Sequence, residues 1–172
     1  NGYLSAWSNL VRREWEAEEA LVNARLGEWP LQRLAAEGIC LLELHLRRAG
    51  LFYSRPLLKA TALPNSGRDA HGPNTRSLAG HTTPQMARHA FQPGDEVLLT
   101  PMGDCPLDAS SSVRGDVVEV GAAHLGVVVD GSSVHLGDGL WRMDRVSNRT
   151  AHDRTVRGLR LFAGSPASPV LQ

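Results

Sequence analysis

Several short segments with a strand-like pattern follow one another after Gly38, and no helical period lies between them. Glycine-containing turns separate most of these segments, which are residues 39–46, 51–63, 96–100, 112–120, 124–131 and 133–137. Neighbouring parallel strands need long, usually helical crossovers, so a parallel α/β sheet is excluded. An open antiparallel sheet would expose its edges, whereas closure removes them. The sequence therefore predicts a small antiparallel β-barrel, SH3-like or OB-like, at about 39–140.

Two turns and one long loop organise this barrel. Arg48-Ala49-Gly50 is predicted to connect the first two strands, the second of which is interrupted by Pro56. Pro93-Gly94-Asp95 has the composition of a turn and leads into the strand Glu96–Thr100. Residues 64–90 are rich in Pro, Gly, Ser, Thr and Asn, which predicts a long surface insertion. Its histidines, His71, His81 and His89, do not have the spacing of metal ligands and are expected to be solvated.

Helical patterns flank the barrel. Apolar residues recur every three or four positions, or after seven, from the N-terminus, which predicts an amphipathic helix at about 4–26 whose tryptophans pack in a core: Leu4, Trp7, Val11, Trp15, Val22, Leu26 and Trp29. Pro30 begins a short second helix that ends at Gly38. A helical pattern returns from Leu140, with Asn148 as a cap. The predicted divisions are 1–38, a barrel segment at 39–162 that includes a returning helical segment at 141–162, and a tail at 163–172.

Composition and motifs exclude several classes of protein. The formal net charge is zero and 42% of residues are hydrophobic, without the run of about 20 apolar residues that a membrane-spanning helix needs. No secretory signal pattern is present, so an intracellular location, cytoplasmic or nuclear, is expected. Cys40 and Cys105 lie far apart with no CxxC motif, which favours reduced, packed thiols over a zinc site or a disulfide.

The motifs of common catalytic sites are missing from the sequence. There is no GxxxxGK[ST] phosphate loop and no GxSxG serine motif. Asp104 and Asp108 could pair as acid and base, but aspartates beside loop glycines are usually turn formers. We therefore expect no catalytic residues, no metal and no cofactor in this chain, and no enzyme activity from the chain alone.

Basic charge is concentrated near the C-terminus. Residues 142–160 contain six arginines and two aspartates, whereas residues 1–38 carry an acidic excess. A basic stripe is typical of a phosphate-binding face, so the candidate nucleic-acid-binding residues are Arg142, Arg145, Arg149, Arg154 and Arg157. In a helix, Arg154, Arg157 and Arg160 would lie on neighbouring rows of one side. The alternative is a solvated helix face whose arginines pair with the acidic first helix.

Four segments in order resemble a known family. They are "LQRLAAEGICLLELHLRRAGLFYSRPLLKAT", "FQPGDEVLLT", "VRGDVVEVGAAHLGVVVDG" and "LWRMDRVSNRTAHDRTVRGLRLF", and together they span about residues 31–162. This order resembles the N-terminal region of superfamily 1 helicases of the immunoglobulin mu-binding protein type, which are related to the nonsense-decay helicases. In that family a long helix leads into a barrel called 1B, which a stalk helix connects to the first RecA-like motor domain. "SNRTAHDRT" and the long insertion depart from the family pattern.

The resemblance implies an accessory function. The chain would be the 1B barrel and stalk of an ATP-dependent DNA or RNA helicase, binding single-stranded RNA or DNA beside the RecA-like motor domains of the same parent chain. ATP and magnesium would belong to those motor domains. Two alternatives remain open: a stand-alone SH3-like or KOW-like barrel that binds RNA, the ribosome or a protein, and a scaffold whose tryptophan-bearing helix docks onto a partner.

Overall fold

The computed structural model describes residues 2–62, 86, 88–130 and 136–164. The chain divides into two compact units, a helical unit of residues 1–28 and 146–172 and a barrel unit of residues 29–145. The elements in chain order are α1 (Gly2–Glu28), α2 (Leu31–Ala36), β1 (Cys40–Phe52), β2 (Arg55–Ala62), β3 (Glu96–Pro101), β4 (Val113–Val120), β5 (His124–Val129), β6 (Trp141–Arg145) and α3 (Arg149–Gly164).

The strands form a closed antiparallel barrel in the order β1-β2-β5-β4-β3-β6, with β6 paired to β1. The prediction of a small closed antiparallel barrel flanked by helices is therefore confirmed. Alternate side chains of the strands point inward, as the two-residue period of a strand requires. The interior contains leucines, valines and a methionine that are almost fully inaccessible to solvent, among them Leu44, Leu58, Leu99, Leu125, Val127 and Met143.

The strand that closes the barrel lies where the sequence predicted a helical segment. Residues Trp141–Arg145 form β6, which pairs with both β1 and β3. Trp141 and Met143 alternate inward and are 5% and 0% exposed, so burial against two neighbouring strands outweighs the local pattern. The returning helix therefore begins at Arg149 rather than near 141. The strand predicted at 133–137 and most of the insertion at 64–90 lie outside the described residues.

The first hairpin turns at a different place from the one predicted. Tyr53 and Ser54 have φ values of 48° and 66°, the pair of left-handed conformations that suits a two-residue hairpin turn. Gly50 also has a positive φ, 122°, but it lies at a register shift within the ladder after Arg48. The glycine therefore belongs to a β-bulge, and β1 continues to Phe52.

The predicted turn at Pro93-Gly94-Asp95 is confirmed. Gly94 has a φ of 95°, and the N–H of Asp95 donates to the carbonyl oxygen of Gln92 at 3.1 Å. The Asp95 carboxylate accepts a hydrogen bond from the N–H of Gln92 at 2.8 Å. Phe91, which precedes the turn, is 3% exposed and belongs to the barrel core. The turn therefore holds the start of β3 in register.

The short helix α2 lies where it was predicted, but Pro30 precedes the helix as its N-cap residue and is not part of its first turn. The carbonyl oxygen of Pro30 accepts a bond from the N–H of Arg33 at 2.9 Å, and Leu34 is completely buried. Gly38 has a φ of 71° and its N–H donates to Ala35 at 3.0 Å, as in a glycine-terminated helix. A Cβ at Gly38 would lie 3.1 Å from the backbone nitrogen of Ala90, so the close approach also favours glycine here.

In the helical unit, α1 and α3 pack through one side of each helix. The ring of Trp15 lies 4.9 Å from the ring of His152, centroid to centroid. Val11 and Val22 are half-buried, whereas Trp7 is 45% exposed. The expected packing role of the tryptophans therefore describes Trp15 well and Trp7 only in part.

Candidate nucleic-acid interface

Arg142 belongs to the barrel unit, and its side chain is buried. Arg142 and Asp144 are two residues apart on β6 and therefore on the same face of the strand, and they are 5% and 0% exposed. The Arg142 Nε donates to the Asp144 Oδ2 at 2.7 Å, and its Nη2 donates to Oδ1. Burial lowers the pKa of Arg142, but the hydrogen bonds and charge of Asp144 raise it more. Arg142 forms a buried ion pair, so its guanidinium is not available to bind phosphate, and the prediction that it binds nucleic acid is wrong.

The thiol beside this ion pair is protected. Cys40 is paired with Asp144 in the β1–β6 ladder and is 1% exposed. Burial, followed by the charge of Asp144, raises the pKa of the Cys40 thiol to about 12. Cys105, in contrast, is exposed. The expectation of two packed thiols therefore holds for Cys40 and is wrong for Cys105.

We expect the two thiols to differ sharply in reactivity. At pH 8 the native protein should take up one equivalent of iodoacetamide, at Cys105, because the buried Cys40 thiol is protonated. In the folded state the Cys40 pKa lies above its ordinary value of 9.0, so the folded state retains a proton that the unfolded state releases. The free energy of unfolding should therefore decrease as pH rises from about 9 towards 12, because ionisation of this thiol favours the unfolded state. Peptide mass spectrometry measures the labelling, and native alkylation of Cys40 at pH 8 would contradict the structure.

Arg145 also belongs to the barrel unit. Its side chain is exposed, and its Nη2 lies 3.1 Å from the Oδ1 of Asp95. The backbone N–H of Arg145 donates to the carbonyl oxygen of Ile39 at 2.9 Å. This arginine therefore links the end of β6 to the turn before β3, and Asp95 compensates part of its charge.

Helix α3 carries the remaining candidates and begins with the predicted cap. The Asn148 Oδ1 accepts a hydrogen bond from the N–H of Ala151 at 2.8 Å, which satisfies one of the backbone donors at the helix start. Arg149 is exposed in the first turn. The cap fixes where the helix begins and hence the positions of its later arginines.

Replacing Asn148 with alanine should lower the free energy of unfolding of the helical unit by about 1 kcal/mol, because the capping oxygen is lost. Asn148→Asp keeps an acceptor at the same position and serves as the control, with little expected change. Urea denaturation followed by circular dichroism measures both variants. Equal losses in the two variants would show that the cap is not the source of the effect.

Three arginines of α3 form an exposed row. His152, Val156 and Leu159 are half-buried on one side of the helix, whereas Arg154, Arg157 and Arg160 are exposed. Within the described part of the chain these three arginines form no ion pair. The ion pair seen on α1, between Arg12 and Glu16 at 2.8 Å, lies within that helix. The alternative in which the acidic first helix neutralises the arginines is therefore not supported for this row.

The histidines of the insertion divide into described and undescribed residues. His71 and His81 lie outside the described residues. His89 is half-buried, its ring centroid lies 5.7 Å from that of Phe91, and its Nδ1 accepts a bond from the Phe91 N–H at 3.3 Å. Burial lowers the pKa of His89, so the expectation of a solvated histidine is wrong here. No cluster of three or more His, Cys, Asp or Glu residues with metal-binding geometry occurs in the ranges that the structure describes.

One exposed feature was missed at the sequence level. Leu51, Phe52 and Tyr53, at the tip of the β1–β2 hairpin, are 71%, 41% and 88% exposed. With the turn predicted at Arg48-Ala49-Gly50, these residues were assigned to the start of the second strand. The corrected turn places them at the end of the hairpin instead.

None of the helices in the described ranges combines the length and the apolar character needed to cross a membrane. Comparison of the sequence with protein-family models and with curated proteins found no match. Over the residues that the structure describes, the fold is a closed antiparallel barrel of six strands, joined in sequence to the helices of the second unit.

Proposed function

We propose that this chain is an accessory nucleic-acid-binding part of an ATP-dependent DNA or RNA helicase, and that helix α3 binds the phosphates of a single strand. The observation that carries the proposal is the row formed by Arg154, Arg157 and Arg160. All three are exposed, and no acidic partner of theirs is found among the described residues. Guanidinium groups bind phosphate oxygens with paired, charge-assisted hydrogen bonds.

The spacing of these three arginines suits contacts to the sugar–phosphate backbone and not the recognition of a base sequence. Arg154 and Arg160 are six residues apart, which corresponds to about 9 Å along a helix. Successive arginines are three residues apart, so the three side chains are neighbours on one side of the helix. Contacts to phosphates carry no sequence information, so binding is expected to be independent of sequence.

The helicase part of the proposal rests on the four resembling segments and on the barrel that they form. By that resemblance, single-stranded RNA or DNA and the RecA-like motor domains of the parent chain are the partners, and an intracellular location follows. ATP and magnesium would bind in the motor domains. The sequence contains no phosphate loop, so we expect this chain alone to show no ATP turnover in the presence of nucleic acid. Nucleic-acid-stimulated ATPase activity in the purified chain would refute that expectation.

Neutralising the row tests the proposal. A variant with Arg154→Gln, Arg157→Gln and Arg160→Gln should bind fluorescent single-stranded oligonucleotides about 50-fold more weakly at 0.15 M salt, since each phosphate contact contributes a log–log slope of about 0.7. The loss should be similar for oligonucleotides of different sequence. Fluorescence anisotropy measures the dissociation constants.

The matched control removes the same charge from exposed arginines outside α3. It carries Arg12→Gln, Arg13→Gln and Arg88→Gln, and it should keep most of the affinity. Equal losses in the two variants would mean that only net charge matters and that α3 is not a binding surface. A loss for one oligonucleotide sequence alone would contradict backbone recognition.

A further inference from the structure

The β1–β2 hairpin has an outer face that ends in an exposed apolar tip. Its rungs are set by the register, in which Phe52 lies opposite Arg55 and Arg47 lies opposite Lys59. Leu58 and Ala60 of β2 are buried in the barrel, so Arg55 and Lys59, at the alternate positions of β2, face outward together with their partners Phe52 and Arg47. Both Phe52 and the Arg47–Lys59 rung belong to this outer face. We call Arg47, Phe52, Arg55 and Lys59, with Tyr53 of the turn, the hairpin surface.

The aromatic rings of the tip are held in a defined arrangement. The rings of Phe52 and Tyr53 lie 4.8 Å apart, centroid to centroid, at 85° to each other. This edge-to-face contact is favourable, yet Tyr53 remains 88% exposed. Leu51, the preceding residue, is 71% exposed. Exposed aromatic side chains held together in this way are typical of an interaction site.

The next feature is a rung with two positive charges. Arg47 and Lys59 lie directly opposite each other in the antiparallel ladder, where like charges are destabilising. Within the described ranges neither residue forms an ion pair. Lys59 is paired on its other side with Gly126, and Glu119 lies one strand further. The Glu119 carboxylate is itself 3.0 Å from the Nε2 of His124. The two cations therefore lack an acidic partner of their own, which an anionic ligand would provide.

Arg55 fixes the tip to the barrel. Its Nη1 lies 3.0 Å from the Oδ2 of Asp116 on β4, and its Nη2 lies 2.7 Å from the Oδ1 of Asp130. These ion pairs neutralise Arg55, so the charge available to a ligand is that of Arg47 and Lys59. They also hold the base of the turn against β4 and the end of β5, which pre-organises the rings for binding.

We propose that the hairpin surface is a second binding site for single-stranded nucleic acid, with Phe52 and Tyr53 stacking on bases and Arg47 and Lys59 binding phosphates. Arg55 and Lys59 are four residues apart on β2, so the aromatic and cationic rungs are separated by about 13 Å. Aromatic side chains beside a positive surface are the combination by which proteins bind single strands without sequence preference. The cations favour this polyanion over an apolar protein partner. The inference shares its ligand class with the proposed function but uses none of the residues of α3.

The first experiment separates stacking from general apolar contact. Phe52→Leu and Tyr53→Leu together keep apolar side chains but remove both rings, and should weaken binding of oligothymidylate by about 30-fold, since each stacked base contributes roughly fivefold or more. The matched control, Leu51→Ala, removes exposed apolar surface without removing a ring and should leave affinity nearly unchanged. A loss in the control equal to that in the double variant would overturn stacking. Circular dichroism verifies that each variant is folded.

The second experiment locates the bound strand. An oligonucleotide containing 5-iodouracil should crosslink to the peptide that contains Phe52 and Tyr53, as mapped by mass spectrometry. Arg47→Gln with Lys59→Gln should reduce the log–log salt slope by about 1.4. Full affinity in the ring variant, with crosslinks confined to α3, would overturn the hairpin site and leave the proposed function standing. Weaker binding by the hairpin variants, together with full affinity of the α3 variant, would support the hairpin site and overturn the proposed function of α3.

Discussion

Replacing Asp144 with alanine is expected to lower the free energy of unfolding of the barrel by about 3–5 kcal/mol. The Asp144 side chain is completely buried, and it accepts both hydrogen bonds that Arg142 donates to it. Without it the Arg142 guanidinium would remain buried with its charge uncompensated. Urea denaturation monitored by tryptophan fluorescence measures the change, since Trp141 lies in the adjacent core.

The control for this variant removes both charges. Arg142→Met with Asp144→Leu replaces the ion pair by apolar side chains of similar size, and such replacements are often neutral or stabilising. The double variant should therefore be more stable than Asp144→Ala. A double variant as unstable as the single one would show that the loss comes from packing and not from an unpaired charge.

Replacing Leu99 with alanine should lower the free energy of unfolding by about 2–5 kcal/mol. Leu99 lies on β3, is completely buried and belongs to the barrel core, so its loss removes apolar contacts and leaves a cavity. Leu107, which is 44% exposed, is the matched position. Leu107→Ala should change stability by no more than about 0.5 kcal/mol. Similar losses at the two positions would contradict the assignment of Leu99 to the core.

The sequence was sufficient to predict the barrel because strands alternate and turns have strong residue preferences. Gly94 and the strand after it were predicted correctly for this reason. The closing strand was missed because five residues, Trp141–Arg145, are too few to separate a strand period from a helical one. Its assignment depends on two partner strands that are distant in sequence, β1 and β3.

The candidate site was only partly predictable because charge counted along the chain carries no information about faces. Arg142 contributed to the basic count, but the strand places it beside Asp144 in a buried pair. Arg154, Arg157 and Arg160 were grouped correctly because helical spacing alone sets their neighbourhood. The hairpin surface was not predictable, since Tyr53 and Ser54 adopt positive φ values at the turn although neither residue is a glycine.

The salt dependence of single-strand binding tests whether the arginines of α3 bind nucleic-acid phosphates. The logarithm of the binding constant would be plotted against the logarithm of the salt concentration for the unaltered chain and for Arg154→Gln/Arg157→Gln/Arg160→Gln. The slope should become shallower by about 2, since three phosphate contacts of about 0.7 each are lost. An unchanged slope would show that these arginines do not contact phosphates.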